Sequence, residues 1–171
     1  MNATLPAAFA ALLLLAGARS SPARAQDSGI GIATGSKPAA AQVEDLEGKA
    51  VDLAQYVGKK PVLLEFWATW CPVCEGLEPK LRAAHATYGK DVEFLVIAVG
   101  VSQTPRSIRR HLEKSPMPGR VLFDAKGAAV RAYQVPTTSF IAVLDAGGVV
   151  RYTGTGSGQD IEAAIRRGLG R

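Results

Sequence analysis

A continuous apolar segment runs directly into a pair of cysteines, and this junction limits the folds open to the chain. Residues 61–67 (PVLLEFW) are apolar apart from Glu65, and the sequence ATWCPVC follows them. An apolar run of this length between turn signals is typical of a strand that is covered on both faces of a sheet. From Cys71 to about Tyr88, apolar residues recur at helical spacing. The sequence therefore predicts a buried strand, a short turn and a helix that begins at the first cysteine.

Strand and helix patterns alternate along the rest of the chain and then give way to a hairpin and a closing helix. The predicted elements are a hairpin over 43–57, strands at 61–67, 91–99, 120–123, 138–144 and 149–153, and helices at 71–88, 104–114, 127–133 and 160–169. This order predicts an α/β domain with a central mixed sheet and helices on both faces.

The N-terminal 41 residues differ in composition from the rest of the chain. Residues 1–25 contain a long uncharged stretch and end in Ala23-Arg24-Ala25, which predicts a secretory signal peptide cleaved after Ala25. No Lys or Arg precedes the apolar stretch, so an uncleaved membrane anchor is the alternative. Residues 26–41, rich in Gly, Ser and Ala, are predicted to be a flexible linker. Residues 42–171 then form the domain, which is expected to be exported to the periplasm, where disulfides persist.

The net charge of +5 overstates the basicity of the predicted mature chain. Removing Arg19 and Arg24 from 20 basic side chains leaves 18 against 15 acidic ones, a net charge of +3. Several Arg and Lys residues cluster between 106 and 120, and we interpret them as a solvated helix face. Because no base-reading motif accompanies them, we expect no nucleic-acid partner.

Cys71 and Cys74 are the two cysteines of the chain, and their spacing admits four kinds of site. Haem attachment requires C-x-x-C-H, whereas Glu75 follows Cys74. A structural zinc ion requires about four ligands, and His85 lies some 16 Å along the predicted helix. Both His85 and His111 are predicted to be ordinary surface residues. A structural disulfide across so short a loop would add little stability, which leaves a redox-active pair.

The predicted position of the pair suits redox chemistry. Backbone N–H groups and the helix dipole favour a thiolate at the N-terminus of a helix. Cys71, at the exposed end, would then attack a disulfide, and the more buried Cys74 would resolve the mixed disulfide. Pro72 fixes one backbone angle between them.

The stretch from Trp67 to Cys74 (WATWCPVC) resembles the active site of thioredoxin-fold proteins, in particular the exported TlpA/ResA/DsbE-type thiol–disulfide oxidoreductases. The resemblance extends from about Val43 to the C-terminus. Pro79 stands five residues after Cys74, where the family kinks its helix. The 61 residues between Cys74 and Pro136 leave room for the strand–helix insert of this branch.

The resemblance also assigns roles to residues outside the cysteine pair. Val135-Pro136-Thr137 resembles the cis-proline loop, whose backbone orients an extended client strand. Trp70 and Pro72 would shape the rim of the site. The family places an acid where Glu65 stands; burial would raise the pKa of this carboxyl, and it would accept the proton of Cys74.

The leading interpretation is therefore an exported thiol–disulfide oxidoreductase that reduces disulfides of client proteins and is recharged by a membrane thiol reductant. It requires no cofactor, because the two cysteines carry the electrons. A disulfide-forming oxidase would share the fold and reverse the electron flow, which depends on the reduction potential. A module that holds Cu(I) through the same two thiolates is a further alternative.

Overall fold

A seven-stranded sheet carries the cysteine pair in the computed structural model, which describes Met1 and residues 29–171. The strands are β1 (Gln42–Glu44), β2 (Ala50–Asp52), β3 (Val62–Trp67), β4 (Glu93–Val99), β5 (Arg120–Asp124), β6 (Phe140–Leu144) and β7 (Val150–Gly154). The α-helices of the described residues are α1 (Pro72–Tyr88), α2 (Pro105–Leu112), α3 (Ala128–Ala132) and α4 (Ile161–Gly168).

The strand order is β2-β1-β5-β4-β3-β6-β7. Strands β3, β4 and β5 are mutually parallel, whereas β6 runs antiparallel to β3 and β7 antiparallel to β6. The predicted N-terminal hairpin is formed by β1 and β2, and the predicted mixed sheet is confirmed. Two strand–helix units, β4–α2 and β5–α3, fill the sequence between α1 and Pro136.

Strand β3 is buried along its whole length because its apolar side chains pack on both faces of the sheet. Leu63 belongs to a core cluster with Leu77 and Leu81 of α1. On the opposite face, Phe66 packs against the rings of Tyr133, after α3, and Phe140, at 5.5 and 5.7 Å between centroids. This double cover fixes the end of β3, where the cysteine loop begins.

Residues 29–41, here called the N-terminal arm, pack against the domain, so the prediction of a flexible linker is wrong for this segment. The backbone N–H of Ile32 donates to the carbonyl of Tyr133 at 3.0 Å, and Gly35 and Ser36 exchange two hydrogen bonds with Val150 at the start of β7. Ile32 is buried, and Gly31 passes so close to Phe140 that a Cβ there would overlap the ring. The small residues that suggested flexibility instead allow close packing against the domain.

The predicted signal peptide, residues 1–25, and linker residues 26–28 lie outside the described residues, apart from Met1. None of the helices between residues 29 and 171 is both long and apolar enough to cross a membrane.

Candidate active site

Cys71 and Cys74 form a disulfide at the start of α1, with 2.10 Å between the sulfurs and 5.3 Å between the Cα atoms. Cys71 is the N-cap of the helix, and its Sγ accepts a hydrogen bond of 3.2 Å from the backbone N–H of Cys74. Pro72 occupies the first helical position, where a missing N–H costs nothing. The same N–H and the helix dipole would stabilise a thiolate on Cys71 once the disulfide is reduced.

Both cysteines are buried in the disulfide, so the expected exposure of Cys71 is wrong for this state of the protein. Cys71 is 3 % exposed and Cys74 is fully buried. Cys71 belongs to the same core cluster as Trp67 and Ala68 at the end of β3, and its sulfur is bonded to Cys74. The neighbouring Trp70 and Val73 are almost half exposed. A client would therefore meet an apolar surface around a recessed disulfide.

The loop between β4 and α2 fastens the backbone just before the cysteines. The Trp70 indole N–H donates to the Val101 carbonyl at 2.9 Å. The Gln103 side chain accepts from the backbone N–H of Thr69 at 3.0 Å and donates to the Val99 carbonyl at 2.6 Å. Sequence reasoning missed Gln103, since a single glutamine in a loop gives no signal of a bond to a residue 34 positions away.

Glu65 is fully buried on β3, as predicted. It pairs across the sheet with Ile141, which belongs to the core cluster under α1, so its side chain faces that helix. Neither carboxylate oxygen has a hydrogen-bond partner. Burial, and to a smaller extent the charge of Glu78, raises the pKa of Glu65 to about 8.

Helix α1 turns a buried stripe toward the sheet, formed by residues 74, 77, 78 and 81. Cys74 and Glu78 are one turn apart on this stripe, and Glu78 acts on Glu65 through its charge. Glu65 therefore lies beneath the first turns of the helix that carries the cysteines. Glu78 itself is bound by Arg82 at 2.6 Å, and Arg82 also donates to the carbonyl of Pro116. Sequence reasoning did not assign the pairing of Glu78 with Arg82.

The segment before β6 lies at the same end of the sheet as the cysteine loop, because β6 is antiparallel to β3. Val135 is half-buried and its N–H donates to the Val130 carbonyl, whereas Pro136 is exposed. No cis peptide bond occurs among the described residues, so the Val135–Pro136 bond is trans and the expected cis geometry is wrong for this structure. Gln134, two residues before the proline, has a positive φ of 51°, and Pro136 has the isomer that X–Pro bonds ordinarily favour.

The two histidines are half-buried, not surface residues as expected. His85 packs edge-on against Phe94, and His111 packs edge-on against Trp67, with centroid distances of 5.0 and 5.1 Å. Within residues 29–171, no three His, Cys, Asp or Glu side chains are grouped so as to hold a metal ion.

A mixed sheet of this order, with a C-x-x-C pair at the start of the helix that follows its buried strand, defines a thioredoxin-fold thiol–disulfide oxidoreductase. The chain belongs to the Redoxin family, whose sequence model matches residues 33–166. The protein therefore acts on disulfide-bearing substrates.

The chain is similar to proteins that are described as thiol–disulfide oxidoreductases. The thiol-disulfide oxidoreductase ResA of Geobacillus kaustophilus is 32 % identical over 134 residues, which span 77 % of this chain and 75 % of that protein. A thiol:disulfide interchange protein DsbE from Chlorobium tepidum shares the fold, with a TM-score of 0.68, 24 % identity and coverage of 81 % of this chain and 97 % of the other. A secreted disulfide oxidoreductase of Mycobacterium tuberculosis has a TM-score of 0.62 and 26 % identity, covering 75 % and 94 %.

Proposed function

We propose that the protein is an exported reductase of client-protein disulfides, in which Cys71 is the nucleophile, Cys74 the resolving thiol and Glu65 the proton acceptor. One observation carries this assignment. An acid with no hydrogen-bond partner lies beneath the helix whose first turn holds the cysteine pair. Burying such a group is costly, which favours a catalytic use of its proton.

The reaction would proceed by two thiol–disulfide exchanges. The Cys71 thiolate attacks the client disulfide and releases one client sulfur as a thiolate, which takes a proton from water. Cys74 then gives its proton to Glu65 and attacks Cys71. The bond between Cys71 and the client breaks, the second client sulfur leaves as a thiolate that takes a proton from water, and the Cys71–Cys74 disulfide forms while Glu65 releases its proton to water. Two electrons have passed to the client, and a membrane thiol reductant would restore the dithiol.

Glu65 can accept the Cys74 proton only when it is ionised, and a pKa of about 8 leaves about a tenth of the molecules in that form at pH 7, so the second exchange should become faster as the pH rises toward 8. A thiol has an ordinary pKa near 8.5, and the pKa of Glu65 is raised to about 8. Proton transfer between groups of similar pKa costs little free energy, and positioned bases typically accelerate reactions by about 10²–10⁴-fold.

The client would lie on the surface around the cysteines. Exposed Trp70 and Pro72 form its rim, and the backbone at Val135 and Pro136 lies at the same end of the sheet. Export is supported by the A-x-A end of the predicted signal peptide and by the likeness to a secreted relative. N-terminal sequencing of protein recovered from a periplasmic fraction would test it; a chain beginning at Met1 would contradict cleavage.

Trapping experiments test the cysteine roles. Cys74→Ser should accumulate a mixed disulfide through Cys71, because the resolving attack is lost, and Cys71→Ser should accumulate little. Mass spectrometry after incubation with a disulfide-bonded peptide measures both. Equal trapping by the two variants would refute the assignment. The direction of electron flow is tested separately by the reduction potential of the pair, since a potential near that of strong oxidants such as DsbA, about −120 mV, would favour the oxidase instead.

A further inference from the structure

A small cavity of about 220 Å³ lies beside the redox loop. Its wall includes Thr69, two residues before Cys71, and one side of α2. The lining residues are Thr69, Ser107, Arg110, His111 and Lys114. The site described above uses none of the α2 side chains in this set.

The charge of the cavity is uniformly positive. Arg110 and Lys114 lie one turn apart, both are exposed, and neither has a carboxylate within ion-pairing distance in the described part of the chain. By contrast, Arg82, Arg151 and Arg166 each pair with an acidic side chain. The cavity is therefore a cationic site, and no acidic side chain among residues 29–171 forms an ion pair with its two cations.

His111 forms a fixed part of the same wall. Its ring packs edge-on against Trp67, which is buried at the end of β3. Its Nε2 atom is buried and has no hydrogen-bond partner. A neutral imidazole offers one donor and one acceptor, so the Nε2 atom can still form a hydrogen bond to a ligand held by the two cations.

We propose that this cavity binds a carboxylate side chain of the client, close in sequence to the cysteine that Cys71 attacks. The proposal rests on the proposed function, because it assumes that a protein disulfide reaches Cys71. Arg110 supplies a planar fork suited to a carboxylate, and Lys114 supplies a second cation.

The chain geometry sets the spacing of the recognised acid. Thr69 and Cys71 are two residues apart in a turn that the Cys71 N–H closes by donating to the Ala68 carbonyl, so their Cα atoms lie within the about 7 Å that an extended backbone would span. A client strand lying along the loop would therefore place its Asp or Glu two or three residues from its reactive cysteine.

The test uses a peptide with one cysteine, oxidised to its symmetrical disulfide dimer, and a second peptide that differs in having Gln for Glu two residues from the cysteine. The reduced protein should react with the Glu peptide about tenfold faster than with the Gln peptide. In R110Q/K114Q the ratio of the two rates should fall to about one. A general loss of activity would slow both peptides alike and leave the ratio unchanged.

The matched control is K59Q/K90Q, which removes the same charge from exposed positions before β3 and β4, at the opposite end of the sheet. It should keep the tenfold ratio. A wild-type ratio of one, or a ratio that persists in R110Q/K114Q, would overturn the proposal.

Two further outcomes separate the sources of failure. Glutathione disulfide carries its own carboxylates; if it reacts faster than the Glu peptide and R110Q/K114Q abolishes this advantage, the cavity serves a small thiol and the client assignment is overturned. If wild type reduces neither peptide while the Cys71 thiol is titratable, the proposed function has failed, and this inference fails with it.

Discussion

Replacing Glu65 by Gln should stabilise the protein by an amount that depends on pH. The pKa of Glu65 is raised from 4.5 to about 8, chiefly by burial. Between these two values the folded state retains a proton that the unfolded chain has released. Wild-type stability therefore falls as pH rises, by about 1.4 kcal/mol for each pH unit, and the loss reaches about 3.4 kcal/mol at pH 7.

Urea unfolding of the oxidised protein measures this effect without interference, because neither cysteine titrates in the disulfide. The free energy of unfolding of Glu65→Gln minus that of wild type should be flat below about pH 3.5. From pH 5 to pH 7 it should widen by about 2.5 kcal/mol. The slope is the decisive quantity, since any fixed cost of burying the amide shifts the whole curve without changing its slope.

Glu113→Gln is the matched control, because it removes a carboxylate from an exposed position at the end of α2. The free energy of unfolding of Glu113→Gln minus that of wild type should not increase between pH 5 and pH 7 as it does for Glu65→Gln. If the Glu65→Gln difference is the same at both pH values, Glu65 ionises normally in the folded protein. The argument for its catalytic use would then fail.

Three further substitutions test contacts around the site, each by urea unfolding at pH 7. Gln103→Leu should cost about 1–3 kcal/mol, because it leaves the backbone N–H of Thr69 without its acceptor; an unchanged midpoint would show that the bond adds nothing. Arg82→Gln should also cost about 1–3 kcal/mol by leaving the Glu78 carboxylate buried without its cation, whereas no loss would indicate that water replaces the arginine. Gly119→Ala should cost more than about 1 kcal/mol, since φ is +99° and a Cβ would overlap the Phe94 backbone. An unchanged free energy of unfolding would mean that the backbone at residue 119 shifts to make room for the methyl group.

Much of the fold could be predicted because local signals and tertiary packing agree. The run from Val62 to Trp67 is apolar at both odd and even positions, which suits a strand with two covered faces, and the strand is buried throughout. Thr104 followed by Pro105 marks the start of α2, and the structure shows the Thr104 side chain capping that helix. The burial of Glu65 follows from the same run.

The contacts that could not be predicted join residues far apart in sequence. Residues 29–41 have the composition of a linker, and their order depends on hydrogen bonds to Tyr133 and Val150. Gln103 reaches Thr69 through a side chain whose partner no local pattern specifies. The cavity beside Thr69 likewise depends on how α2 packs over the end of β3. The sequence does not specify this packing, and the basic residues of α2 therefore gave only the pattern of an ordinary solvated helix face.

The N-terminal arm also covers the start of one edge of the sheet. Strand β7 is the last in the sheet, and a free edge of this kind can recruit a strand from a neighbouring molecule. The arm occupies both backbone groups of Val150, and Arg151 next along β7 is exposed and charged. At the other margin, β2 is three residues long. Concentrated solutions of the folded protein should therefore resist fibre growth through strand addition, and deletion of the arm should expose the β7 edge to it.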